Sequence, residues 1–471
     1  MRIVMKFGGT AINSPDKVIH IANFIKSQKE KEKGTNEIIG VISAVRGMTD
    51  KISSIPLNVK RSDKQSVTDF LKNTSHIHLN IMDHAIKNEN LKNEARSVVT
   101  TLINELEDIL TGILLLGEIT PKSLDYLMSF GERLSTPIVS FALRDTGLSS
   151  EYLTGKEAGI LTDSNYGEAR PLMDTTRLRV VHKIEPLLKL NIVPLITGFI
   201  GADQNGNTTT IGRGGSDYTA TIIASSVNAD EVWLLGDVDG LMTADPKIVN
   251  NARVIREVSF AEAMEMALYG AKYMHPRALE PVMDTKIPVR VRNAFKLEHQ
   301  GTVISQSLTK RSLKTVKSIS VIRHTALIDL SGGGMVGAPG TAAKIFDALA
   351  RNRVNIMMIS QSPSESSISI VVRRDELDKA IMTLDLNLLG KVVKRVNVNN
   401  DVAVIAAVGS GMRGIKGVAA RVFNAVANQN VNVIMIAQGS SELNLAFVVN
   451  DSDCEQVVRA LHDEFELAVN Q

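Results

Sequence analysis

Three glycine-rich segments hold the residues best suited to chemistry. The first is Lys6-Phe7-Gly8-Gly9-Thr10, a lysine late in an apolar run followed by two glycines. Glycines let the backbone approach an anion and turn its N–H groups toward phosphate oxygens. Lys6 would add a point charge there, although a lysine snorkelling from a strand edge would look the same. The second is TTTIGRGGSDYTA, Thr208 to Ala220, in which Gly212, Gly214 and Gly215 flank Arg213, and Ser216 and Asp217 open a helix. A helix N-terminus beside open backbone is an anion site, and Arg213 has the fork geometry for a carboxylate. Asp217 is either an acid of the first helical turn or the partner that orients a lysine. The third is Phe130-Gly131-Glu132-Arg133. Glu132 there either holds a substrate ammonium or joins an ordinary helix salt bridge.

Other signatures are missing. The sequence contains no GxxxxGK[ST], protein-kinase, HExxH or CxxC pattern. The nine histidines show no metal spacing, His76 and His78 are expected on the surface of a helix, and no side chain is assigned to a metal. Gly332-x-Gly334-x-x-Gly337 and Gly409-x-Gly411-x-x-Gly414 have the form of a dinucleotide fingerprint. The acidic residue that should close the next strand and bind the ribose is replaced by Gln361 and Gln438. These loops are tight turns before helices, or small-ligand loops whose N–H groups face an amino acid.

The elements that must position these residues follow from the apolar pattern. Strands are expected at Ile3–Phe7, Glu37–Ser43, Ile192–Thr197 and Glu231–Leu235, and helices at Pro15–Glu32, over most of 64–147, and at Ser216–Asn228. Near-continuous apolar strands alternating with helices predict a largely parallel sheet covered on both faces. Residues 294–316 are polar, lack period and read as a linker. Beyond them the chain repeats itself: Met335–Val372 and Met412–Val449 align without a gap, with Gly337/Gly414, Gly340/Gly417, Asn355/Asn432 and Gln361/Gln438 in register. Each copy reads β-turn-α-β-β-α-β, the order of a ferredoxin-like sandwich. The expected layout is a catalytic unit at 1–293, the linker at 294–316, and modules at 317–398 and 399–471.

Composition bounds the class. At 471 residues the prior is about three domains. A net charge of +2 gives no electrostatic case for nucleic acid or membrane binding, and 4% aromatic residues argue against base-stacking surfaces. No secretory signal or membrane-spanning apolar run is seen. The one cysteine, Cys454, cannot form an internal disulfide, so a reducing, cytoplasmic location is expected.

KFGGT at Lys6, SFGERLS at Ser129, TGKEAGILTD at Thr154, TTTIGRGGSDYTA at Thr208 and GAKYMHP at Gly270, in this order, resemble aspartate kinase across the whole chain. The repeats resemble ACT domains, and the tandem most resembles that of threonine-sensitive members. The resemblance implies the amino acid kinase fold, an open, mostly parallel three-layer α/β sandwich, followed by two ferredoxin-like modules. It implies phosphorylation of the L-aspartate side chain by MgATP, ATP and Mg2+ being the cofactors. Lys6 would then stabilise the transferring phosphoryl group, with Gly8 and Gly9 giving N–H groups and Asp217 organising the lysine. Arg213 would clamp a substrate carboxylate beside Gly214, Gly215 and Ser216, Glu132 would hold the α-ammonium, and Thr49 of SAVRGMTD would touch the substrate. Nucleotide contacts would come from Lys6, Gly8, Gly9, Gly236, Asp237, Met242, Lys247 and Lys272. An effector would contact Met335, Gly337, Gly340, Asn355, Ile356 and Gln361, or Gly414, Asn432, Val433 and Gln438 in the second copy.

L-threonine is the expected effector, because Met357 supplies no charge where lysine-sensitive relatives tend to carry an acid. A homodimer through the modules is expected. This chain departs from the family at Ala11, Gly236 and Met242, where serine, threonine and tyrosine are usual, which removes a hydroxyl at each. Glutamate 5-kinase and N-acetylglutamate kinase share the fold without the tandem tail. A non-catalytic amino-acid sensor is opposed by the retained Lys6, Arg213 and Asp217. A fused dehydrogenase is not expected, since the sequence stops at Gln471 after the second module.

Overall fold

The computed structural model describes residues 1–34, 36–57, 64–270, 274–296, 298–308, 314–364, 366–390 and 393–469. They fall into two compact units that are not contiguous in sequence. The first comprises residues 1–241, 256–260 and the described part of 273–307; the second comprises 242–255, the described part of 261–272, and the described residues from 308 onward.

The first unit begins with β1 (Arg2–Phe7), α1 (Pro15–Gly34), β2 (Glu37–Ile42) and α2 (Met48–Leu57). A helical stretch follows: α3 (Lys64–Ala85), α4 (Glu89–Leu116), α5 (Pro121–Met128) and α6 (Phe130–Asp145). Then come β3 (Ser150–Leu153), α7 (Met173–Lys189), β4 (Val193–Thr197), the hairpin β5 (Ile200–Ala202) and β6 (Thr208–Thr210), α8 (Gly215–Ser226) and β7 (Glu231–Gly236). The unit is completed by β8 (Glu257–Ser259), the start of α9 (Phe260–Leu268), α10 (Glu280–Thr285), β9 (Val289–Asn293) and β10 (Thr302–Ser305).

Among the described residues eight strands form one sheet in the order β3-β4-β2-β1-β7-β9-β10-β8. All neighbours run parallel except β9 and β10. This is the expected mostly parallel sheet. β1 is buried except at Arg2 and Lys6, and β2 except at Glu37, the apolar signature of strands covered on both faces. α4 shows why the helical stretch holds. Asn88 caps its start by accepting from the N–H groups of Asn90 and Leu91, and Gly117 ends it at φ 67. Its buried Ala95, Val99, Ile103, Leu106, Leu110 and Ile113 recur at helical spacing. α6 is buried along most of its length and carries Glu132 in its first turn.

Two expectations change here. His78 is fully buried rather than on the surface; its Nδ1 lies 2.8 Å from the Thr74 carbonyl oxygen, and burial pushes its pKa down to about 4. The α3 face that carries Leu71, Thr74 and Met82 turns it inward; His76 is exposed as expected. The stretch expected as a linker contains β10, paired with both β9 and β8. Its buried Thr302 and Ile304 alternate with half-exposed neighbours, a period of two over only four residues.

The second unit contains most of α9 and then β11 (Ser318–Ser331), α11 (Thr341–Arg351), β12 (Ile356–Gln361), β13 (Ser367–Arg373), α12 (Leu377–Leu388), β14 (Arg395–Val408), α13 (Val418–Ala427), β15 (Met435–Ala437), β16 (Asn444–Asn450) and α14 (Cys454–Glu464). Its sheet runs β12-β13-β11-β14-β16-β15. β11 and β14 are long and pair antiparallel along both halves, with irregularities between Ile322 and Leu327. Ala326, Ile328 and Leu330 pack with Ile345, Leu349 and Ile370 in one core. Val316 and Ile319 pack instead with Ile405, Val422, Phe447 and Leu461 in the other. The module expected at 399–471 therefore takes its outer strand from residues before the first module, which is inserted into it. Segments within residues 1–293 join this second core as well: Ala244, Ile248 and Val249 pack into it, and Glu262 of α9 pairs with Lys317 at 2.9 Å, both essentially unexposed. No described helix is long and apolar enough to cross a membrane.

Candidate active site

Parallel pairing places the C-terminal ends of β1, β2 and β7 at one edge of the sheet, with Phe7 in register with both Ile42 and Leu235. Ligands of open α/β sheets bind at that edge. The loops leaving it are stitched together: the Gly8 N–H donates to the Leu235 carbonyl (2.9 Å), that of Ser43 to Phe7 (3.2 Å), that of Arg46 to Gly9 (3.3 Å) and that of Gly198 to Ile42 (2.8 Å). Gly9 is required by the approach of the second loop, since a methyl group there would lie 2.5 Å from the Ala44 carbonyl oxygen.

Lys6, near the end of β1, places its Nζ 2.6 Å from Oδ1 of Asp217 in the first turn of α8, with both side chains largely buried. Lys6 is therefore paired rather than snorkelling to solvent, and Asp217 is both an acid of the first helical turn and the partner of that lysine. Gly214 precedes α8 at φ 70, a left-handed conformation suited to glycine, and a methyl group there would meet the His275 side chain at 2.3 Å. Ser216 packs against Gly198, where a methyl group would sit 2.6 Å from its Oγ. Arg213 is exposed and makes no ion pair among the described residues. The loop before it is pinned by Asp125 of α5, a buried carboxylate that accepts from the Thr210 N–H and Oγ (2.8 Å each) and the Gly167 N–H (3.0 Å).

Glu132 is 3% exposed, and its Oε2 has no hydrogen-bond partner among the described residues. Burial lifts its pKa to about 8, against the pull of backbone N–H groups at Ala44 and Glu132 and of the Lys6 charge. The alternative of a helix salt bridge is not met; the neighbouring Arg133 pairs with Glu105 at 2.7 Å. Glu132 borders a cavity of about 340 Å³ with Gly9, Ser43, Thr49, Arg46 and Asp50. Thr49 starts α2 against the first turn of α6, where a methyl group on Gly131 would lie 3.3 Å from its Oγ1.

One assignment needs correcting. The Gly8 N–H is used within the fold on Leu235, and among the described residues no backbone acceptor is found for the Gly9 N–H. Lys6, Gly9, Asp217, Glu132 and Thr49 are brought together, Gly236 ends β7, and Asp237 is exposed just beyond it. Met242 and Lys247 fall in the second unit, and Lys272 lies outside the described residues. Sequence reasoning missed Asp125, Ser43, Arg46 and Asp50. Asp125 looks like any acid on a short helix. The other three share the loop that yielded Thr49, and the parallel register of β1 and β2 brings that loop to Gly9.

In the second unit Met335 is buried beneath the first glycine loop, whose Gly337 and Gly340 adopt φ 63 and 86. Asn355 and Gln361 are exposed and Ile356 is half-buried. In the second copy Asn432 and Gln438 are exposed and Val433 half-buried, while the Gly414 N–H donates to the Glu442 carboxylate at 2.6 Å.

Residues 1–293 match the model of the amino acid kinase family, and residues 328–388 and 405–465 match that of the ACT domain. A bifunctional aspartokinase/homoserine dehydrogenase of Zea mays is 31% identical over 99% of this chain, which spans 50% of that protein. Aspartokinase 1 of Arabidopsis thaliana is 31% identical over 98% of the chain and 80% of its own length. Thus the chain covers about half the length of the bifunctional relatives and most of the monofunctional one. Among solved structures, E. coli aspartokinase III in complex with aspartate and ADP superposes with a TM-score of 0.84 at 27% identity, covering 98% of this chain and 99% of the other. The same enzyme with lysine and aspartate gives 0.79 at 28%, with the same coverage.

Proposed function

The chain belongs to the amino acid kinase family, and on that premise we propose that it is an aspartate kinase, transferring the γ-phosphoryl group of MgATP to the side-chain carboxylate of L-aspartate. The observation that carries this reading is the Lys6–Asp217 pair at 2.6 Å beside the glycine turn, with the buried carboxylate of Glu132 within range of the Lys6 charge. The acceptor carboxylate is ionised near neutral pH and needs no general base. Its oxygen forms a bond to phosphorus as the bond to the ADP oxygen breaks, so positioning and charge neutralisation supply the catalysis. Lys6 offsets the phosphoryl charge, held in place by Asp217, and the Gly9 N–H adds a donor. Glu132 receives the α-ammonium, Thr49 and Ser216 border the substrate, and Arg213 clamps a carboxylate. Magnesium enters with the phosphates of ATP, as substrate; among the described residues no group of three or more His, Cys, Asp or Glu side chains is placed to hold it alone.

The product, 4-phospho-L-aspartate, would feed lysine, threonine, methionine and isoleucine synthesis in the cytoplasm. L-Threonine would inhibit by binding the glycine loop and the Asn355–Ile359 strand of a module, with exposed Gln361 or Gln438 offering an amide to its hydroxyl. The modules would pair two chains into a homodimer through exposed strand edges. The assay is ADP release from MgATP with L-aspartate, with L-glutamate as control. Turnover on L-aspartate alone is expected; equal or greater turnover on L-glutamate contradicts the substrate assignment.

A further inference from the structure

Phosphoryl transfer between two anions gains from each cation that reaches the γ-phosphate besides Lys6 and the magnesium of MgATP. The Lys6 ammonium is already shared with Asp217 at 2.6 Å. The cavity beside it is lined by two acids, Asp50 and Glu132, and by one cation, Arg46. The Arg46 backbone is fixed, its N–H donating to the Gly9 carbonyl in the loop that would face phosphate. Its side chain is loose: 69% exposed, with the guanidinium 4.0 Å from the Asp237 carboxylate, itself 55% exposed. An exposed pair at that distance contributes little, so little opposes its release. A guanidinium offers several N–H donors in a plane that matches phosphate oxygens.

We propose that Arg46 is a further catalytic residue, which leaves Asp237 when MgATP binds and hydrogen-bonds the γ-phosphoryl group through its transfer to the carboxylate. Asp237 then serves as the resting partner that keeps the guanidinium at the cavity mouth. Arg46 does within the chain what an arginine finger does in other phosphoryl transfers. The proposal rests on the aspartate kinase reading for the identity of the acceptor, but its contact with the γ-phosphoryl group can be measured without an acceptor.

The test compares ADP with a non-hydrolysable ATP analogue by calorimetry on the full chain, for the wild type, Arg46→Ala and Arg46→Lys, alongside steady-state kinetics. Arg46→Ala is expected to weaken the triphosphate analogue about 10-fold while leaving ADP within about 2-fold, and to lower kcat about 100-fold with KM for aspartate little changed. Arg46→Lys should recover part of the affinity and part of the rate, because it keeps the charge and loses the fork. An equal loss for both nucleotides, or no loss for either, overturns the proposal. A wild-type protein that binds the triphosphate analogue but phosphorylates no L-aspartate overturns the acceptor, and the nucleotide comparison still decides Arg46. A wild type that binds neither nucleotide overturns both.

Discussion

The Glu132 carboxyl is the residue whose environment says most about substrate binding. Burial holds its pKa near 8, so the free protein carries it mostly protonated at neutral pH. An incoming ammonium requires the ionised form, so binding expels a proton below pH 8. The apparent affinity for aspartate should therefore rise with pH, approaching 10-fold per unit well below pH 8, and level off above it. Calorimetry of aspartate binding in buffers of different ionisation enthalpy reads the released proton. Uptake of a proton, or a KM flat from pH 6 to 8, would remove Glu132 from the ammonium site. Arg213→Lys should raise KM for aspartate by about 10-fold or more while KM for ATP stays near its wild-type value, because lysine loses the bidentate fork. A change confined to ATP would move Arg213 to the nucleotide. At this scale the sequence was informative where glycine announces close backbone approach, as at Gly9 and Gly214. It was silent on Asp125, whose three hydrogen bonds come from segments far away in the chain.

Elements were legible wherever one period ran long enough. The apolar run of β1 and the α4 stripe left little choice, while β10 has too few residues for alternation to stand out from a polar stretch. His78 was misplaced because one histidine on a helix does not reveal which neighbouring helix covers it. The swap of the β11 start into the other module was invisible, because the repeat begins after that strand. Residues 317–322 instead report their location through Lys317, buried against Glu262, which also accepts from the Ser410 N–H at 2.8 Å. Lys317→Met would take an ammonium away from that buried carboxylate, and should cost about 3–5 kcal/mol. Adding Glu262→Gln should restore most of the loss. Urea unfolding followed by tryptophan-independent circular dichroism reads both; wild-type stability in Lys317→Met would show that the pair contributes nothing net.

Across the whole molecule the chain passes repeatedly between its two units, at 241/242, 255/256, 260/261, within 270–274, and near 307/308. The polypeptide itself therefore joins the two units at several places. A ligand shifts activity only by preferring one state of the protein, and aspartate must then weaken effector binding by the factor by which the effector weakens aspartate. L-Threonine is expected to inhibit, and to bind less tightly in the presence of aspartate and an ATP analogue. L-Lysine, which accompanies aspartate in one E. coli aspartokinase III structure, is expected to be inert here, since the half-buried Met357 supplies no charge for a second ammonium. Titration of both amino acids by calorimetry and in the kinase assay decides between them; inhibition by lysine with threonine inert reverses the assignment.

The claim on which the rest depends is that Lys6 directs phosphoryl transfer to a side-chain carboxylate. An acyl phosphate reacts with hydroxylamine to give a hydroxamate, so the direct measurement is hydroxamate formed from MgATP, L-aspartate and hydroxylamine by the wild type and by Lys6→Ala. The account predicts aspartyl hydroxamate from the wild type, and a fall of about 100-fold or more in Lys6→Ala with substrate KM values little changed. ADP release without hydroxamate, or an undiminished rate in Lys6→Ala, would contradict it.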